Sequence, residues 1–130
     1  LSLLALESRR KNYPFEFMGC LFDSDSERKL CEIFVKNRLI KKPEEGKNIH
    51  FRIDKHHVDF FIMNKIFVEY HPSVSYRSGK ETTKSYYLRK RRILDDNGYK
   101  DYPLIIVEEL KKLELKINKI KELLPLEVHK

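Results

Sequence analysis

A chain of 130 residues suits one domain with a small core. Apolar residues at 41% and aromatics at 12% exclude a disordered chain, and no stretch approaches the roughly 20 apolar residues of a membrane helix. A net charge of +7 favours a polyanionic partner without naming one.

The chain opens LSLLALESRR, with no initial Met. This reads as the end of a helix, too short for a signal peptide and with no basic region before it. We therefore expect residues 1–23 to be a helix remnant and loop, joined to a domain at 24–130 that forms the C-terminal part of a longer intracellular, cytoplasmic protein. NYPFEFMGCLF, punctuated by Pro14 and Gly19, reads as a loop or short edge segment. The two cysteines, Cys20 and Cys31, lack metal-ligand spacing, and Cys31 reads as a buried free thiol.

A first helix starts among the N-cap candidates Asp23, Ser24, Asp25 and Ser26 and runs to about Ile40. Leu30, Ile33, Phe34 and Asn37 mark its buried stripe. Glu27 lies three, four and seven residues before Leu30, Cys31 and Phe34, which places it on or beside that stripe. Glu32 sits at helical spacing from Arg28 and Lys36, the pattern of a solvated face.

The period then changes to two. In NIHFRID, Ile49, Phe51 and Ile53 alternate with polar residues, so they should share one face. HVDFFI and IFVEYH follow as second and third strands of an antiparallel meander. In the second, His57, Asp59 and Phe61 share a face; in the third, Glu69 and His71 do. A hairpin register that sets Asp59 near Glu69 brings two carboxylates together, which is costly unless a proton or cation lies between them. Taken singly, each acid is equally what a solvent-exposed sheet face carries, and His71 alone reads as a hydrogen-bonded histidine.

Residues 72–80 read as a loop. A second helix spans ETTKSYYLRKRRILDDNGY and closes at Asn97-Gly98. Residues 80–92 hold six basic residues against one acid, interleaved with Tyr86 and Tyr87. Such a run can hold phosphates, or it can be a solvated helix whose tyrosines pack on the sheet. Tyr87 is expected inward, Arg89 and Arg92 outward, and Arg91 toward the acids. PLIIV reads as a strand buried on both faces. EELKKLELKINKIKELL is an amphipathic helix with a stripe at Leu110, Leu113, Ile117, Ile120 and Leu124, placed either over the sheet or against a second chain.

The order α-β-β-β-α-β, with SDSERKL, then HVDFF, then VEYHP, then RRILDDNGYKDYPLIIV, resembles the PD-(D/E)XK nuclease superfamily, and within it the very-short-patch-repair endonucleases. The resemblance covers residues 24–107. It implies an α/β, restriction-endonuclease-like αβββαβ core with a C-terminal amphipathic helix, and a domain that hydrolyses DNA. It also implies that Asp59 and Glu69 bind Mg²⁺ or Mn²⁺, with Glu27 completing the acidic site. His71 stands where lysine is usual; an imidazole there could orient or deprotonate water, or ligate a second metal. Catalytic residues are thus expected at Glu27, Asp59, Glu69 and His71, and DNA contacts at Arg52, His57, Lys84, Tyr87, Arg89, Arg91 and Arg92. A non-catalytic DNA-binding module on the same scaffold, and a metal-independent RNA endonuclease, are the alternatives. A homodimer or a missing N-terminal domain is a possible partner.

Overall fold

The structure is a computed structural model that describes residues 15–72 and 81–124. The expected N-terminal helix remnant and nearly all of the 72–80 loop lie outside the described residues.

The chain forms a mixed α/β fold in the order β1 (Phe15–Phe17), β2 (Cys20–Phe22), α1 (Asp25–Lys36), β3 (Ile49–Ile53), β4 (His56–Ile62), β5 (Ile66–Tyr70), α2 (Thr83–Asp96), β6 (Leu104–Val107) and α3 (Leu113–Glu122). β1 and β2 make a small antiparallel sheet of their own, and the main sheet has the order β3-β4-β5-β6. Its first three strands are an antiparallel meander, while β6 runs parallel to β5 after the α2 crossover. A parallel partner needs such a crossover, because a tight turn cannot reverse the chain twice.

The segment read as a loop before the first helix is a hairpin turned at Met18-Gly19, both with positive φ. Strands of three residues are too short to show a period. α1 begins at Ser24, whose hydroxyl accepts from the Glu27 amide at 3.2 Å. It stops at Lys36 rather than near Ile40. Asn37 caps it, Arg38 turns left-handed (φ 62°), and Leu39 and Ile40 fold back to bond the Phe34 carbonyl. Both are buried, so the apolar pattern continues after the helix has ended. Asn37 is thus a cap, not a stripe residue.

The alternation expected in β3 is broken. Ile49 joins the core under α1 and α3, whereas Phe51 and Ile53 face the core under α2. The cause is His50, held at φ +47° inside a strand. An L-residue in that region costs roughly 1–2 kcal/mol. Across the ladder Val58 likewise packs with Phe61 rather than with Phe60 and Ile62.

The sheet is therefore covered on both faces. Leu30, Cys31 and Phe34 of α1 and Ile117 and Ile120 of α3 pack on Phe60, Ile66 and Val68. On the other face, Leu94 of α2 packs with Phe61, Phe67 and Ile106, and Phe61 stacks on Phe67 at 4.2 Å. β6 is buried along its length, as its continuous apolar run predicts. The C-terminal stripe lies on the sheet, although its helix starts at Leu113, later than expected. The Cys20 thiol donates to the Pro43 carbonyl at 3.3 Å, and burial raises the Cys31 thiol to about 12. No helix among the described residues is long and apolar enough to cross a membrane.

Candidate functional site

The β4–β5 register pairs Ile62 with Ile66, Phe61 with Phe67 and Phe60 with Val68. One step further along the same ladder, Asp59 faces Glu69. Asp59 accepts a hydrogen bond from the Tyr70 amide at 2.8 Å. The two carboxylates are 8% and 1% exposed, unusual burial for acids. Glu27 reaches them from the first turn of α1. It lines an open cleft of about 430 Å³ together with Asp59, Asp23, Glu45 and His50. The three acids expected from the sequence thus converge, from three separate elements.

Their electrostatics record that crowding. Burial, then the negative charges of Glu69 and Glu27, push the Asp59 carboxyl well above its ordinary range, and the Tyr70 amide only partly opposes this. Burial, then a hydrogen bond to Asp23 and the charges of Asp23 and Glu69, raises Glu27 from 4.5 to about 9. Asp23 is lowered, chiefly because Glu27 supplies that hydrogen bond. In the absence of a cation, Glu27 holds its proton at neutral pH, and Asp59 shares the same upward pressure.

Glu69 is handled differently. Its Oε2 accepts from the Tyr86 hydroxyl at 2.7 Å, and that phenol is pushed up by burial and by the adjacent charge. Its Oε1 lies 3.3 Å from Lys90 Nζ, yet it is buried without a hydrogen bond. The two observations are compatible. Lys90 donates instead to the His57 carbonyl at 3.1 Å, so toward Glu69 it is a charge neighbour with poor donor geometry.

His71 does not enter the cleft. β5 ends at Tyr70, and the alternation that would align His71 with Glu69 ends with it. The imidazole stacks on Tyr86 at 4.1 Å, and its Nε2 pairs with the Glu81 carbonyl at 2.9 Å. The cation beside Glu69 is Lys90, one helical turn after Tyr86 on α2.

The expected DNA contacts separate into three groups. Arg52 and His57 line the cleft, with Lys55 and His56. Lys84, Arg89 and Arg92 lie on the exposed side of α2, Arg89 gripped by Glu81 at 3.0 Å. Arg91 and Tyr87 are not on that surface. Arg91 donates to the Tyr99 and Tyr102 carbonyls at 2.7 and 2.6 Å and to Asp95, so it braces the turn after α2 rather than leaning toward the acids. Tyr87 packs inward against the second core. A shallow depression beside Arg89 and Arg92 shares His56 with the acidic cleft.

Sequence reasoning missed Asp23, Glu45, His50 and Lys90 as site residues. Tyr86 and Lys90, four apart on one helix face, carried a usable signal. His50 carried none, because its orientation depends on a backbone conformation that periodicity cannot reveal.

Among the described residues no three His, Cys, Asp or Glu side chains form a ready group for a metal ion. The charges nonetheless lean one way. Two carboxyls with raised proton affinity and a buried carboxylate oxygen lacking a donor all favour added positive charge. Mg²⁺ commonly takes only one or two carboxylates, with water and substrate phosphate completing its shell. Compared with known proteins, the chain matches no family model, no curated protein and no solved structure.

Proposed function

We propose that this domain is a metal-dependent endonuclease that hydrolyses DNA phosphodiesters on a restriction-endonuclease-like scaffold. One observation carries the reading. Glu27 of α1 and Asp59 of β4 line one cleft, and the buried Glu69 of β5 adds its charge to both, raising their proton affinity. Such a cluster is unfavourable for folding alone, and its burial is accounted for by a cation ligand.

Asp59 and Glu27 would hold Mg²⁺ or Mn²⁺, with Glu69 behind them. The bound ion would lower the pKa of a coordinated water and offset phosphate charge. The chain's own residues do the rest. Tyr86 and Lys90 hold the Glu69 carboxylate behind the site. Arg52, Lys55 and His57 line the approach and suit phosphate oxygens. Lys84, Arg89 and Arg92 extend that attraction along α2, and their contribution falls with salt. In this arrangement His71 supports Tyr86 rather than the attacking water, and the positive charge that the superfamily carries two residues after the acid comes from Lys90.

The test is supercoiled plasmid incubated with wild type and with Asp59→Asn, with Mg²⁺, with Mn²⁺ and with chelator. Nicking by wild type alone, and only with metal, is the expected result. Identical traces from the two proteins reject the reading. The second reading is a non-catalytic DNA-binding module, favoured by the open, incomplete donor group. It predicts salt-sensitive binding and no cleavage with any metal. Cleavage of RNA that survives chelator would instead support a metal-independent ribonuclease.

A further inference from the structure

We infer that His50, held by Glu45, protonates the oxygen that departs when the phosphodiester breaks; the inference rests on the hydrolase reading above. His50 Nδ1 lies 2.8 and 2.9 Å from the two Glu45 carboxylate oxygens. That pairing makes Nδ1 the donor and fixes the ring, leaving Nε2 with no hydrogen bond among the described residues. The dyad is built rather than incidental. Of the non-glycine residues with positive φ among the described residues, His50 alone lies inside a strand. The left-handed backbone interrupts the alternation of β3 at this residue, and both His50 and Glu45 line the cleft of Asp59 and Glu27.

The surroundings are mixed in charge. Phe22 of β2 approaches the His50 ring at 5.6 Å, and His57 of β4 approaches edge-on at 6.2 Å. Asp23, just before α1, senses both imidazoles. Hydrolysis needs a proton at the leaving oxygen as well as a nucleophile. Water adds to phosphorus, the bond from phosphorus to the leaving oxygen breaks, and that oxygen takes the Nε2 proton. The water's proton passes to solvent, and His50 is reprotonated from solvent. The net products are an alcohol and a phosphomonoester. Among the described imidazoles of the cleft, His50 has an orienting carboxylate on one nitrogen and leaves the other open toward a ligand.

Leaving-group dependence tests this. His50→Asn keeps a residue that tolerates left-handed backbone and removes the proton donor. Against DNA, wild type should exceed His50→Asn by about 10²-fold or more in kcat. Against bis(4-nitrophenyl) phosphate, whose leaving group needs no proton, the two should agree within about 3-fold. Glu45→Leu should show the same selectivity with a smaller loss. Its nitrogen-15 imidazole spectrum should lose the hydrogen-bonded Nδ1 proton of His50. Calorimetric Mn²⁺ affinity of His50→Asn should match wild type. Equal losses on both substrates, no loss on DNA, or lost Mn²⁺ affinity would overturn the assignment. A wild type that cleaves neither substrate with metal overturns the hydrolase reading itself, and this assignment with it.

Discussion

Replacing Glu27 by Gln should make the metal-free protein more stable at pH 7.5 while removing its function. Glu27 titrates at about 9 in the folded chain, against an ordinary 4.5. Below 4.5 the folded and unfolded chains both keep the proton, and the carboxyl costs nothing. Between 4.5 and 9 the unfolded chain releases the proton and the folded chain retains it. Stability therefore falls as pH rises through that window. By pH 7.5 about three units of it have been crossed, which at about 1.36 kcal/mol each is an upper bound of ~4 kcal/mol. The cleft is open to water and the proton is shared with Asp23, so ~1–2 kcal/mol is the recoverable share. For a domain of this size that is a Tm rise of roughly 4–8 °C. Thermal melts with chelator present, at pH 7.5 and at pH 4, measure it. The gain should vanish at pH 4, and in the same variant Mn²⁺ affinity should fall. A lower Tm at pH 7.5 would mean that the Glu27 charge is already satisfied in the fold, and the argument for a cation would fail.

The remaining expectations use the same cluster. Because Glu27 carries a proton without a cation, metal binding should release it; Mn²⁺ titrations in buffers of different ionisation enthalpy should report proton release, and affinity should rise with pH. Lys90→Met leaves the nearly inaccessible Glu69 charge without its cation, which should cost about 3–5 kcal/mol in urea unfolding. A loss below about 1 kcal/mol would show that the pair is solvent-screened. His71→Ala removes a stack on Tyr86 and one hydrogen bond, so plasmid cleavage should fall by less than about tenfold, well short of what loss of a general base costs. A collapse of kcat without loss of fold would return His71 to the chemistry.

Element order was readable because this chain separates its periods cleanly. The stripe of α1 at Leu30 and Phe34, the alternation in β5, and the unbroken LIIV of β6 each match one backbone geometry. The approach of Asp59 and Glu69 followed from register, since two carboxylates on paired strands meet when the hairpin is tight, and that of Glu27 from its place beside the α1 stripe. What could not be read depends on single backbone residues. Arg38 and His50 are ordinary residues in left-handed conformation; one ends a helix early, and the other hands half a strand to the opposite core. Arg91 and Lys90 are adjacent in a run of basic residues, and composition cannot decide which turns toward the sheet. The structure gives that place to Lys90, because Tyr86 on the same face already reaches Glu69.

One consequence of α2 concerns local opening. The helix fully buries only Leu94 among its fourteen residues, so apolar packing alone holds it weakly. Its middle turn is tied down instead through Tyr86 and Lys90, both to the single anion Glu69. The attachment of that turn is therefore linked largely to one side chain, with the Lys90–His57 carbonyl bond as its other tie. A ligand that draws Glu69 charge away from Lys90 would let deuterium into the amides of that turn sooner, while those of the parallel β5–β6 ladder stay protected.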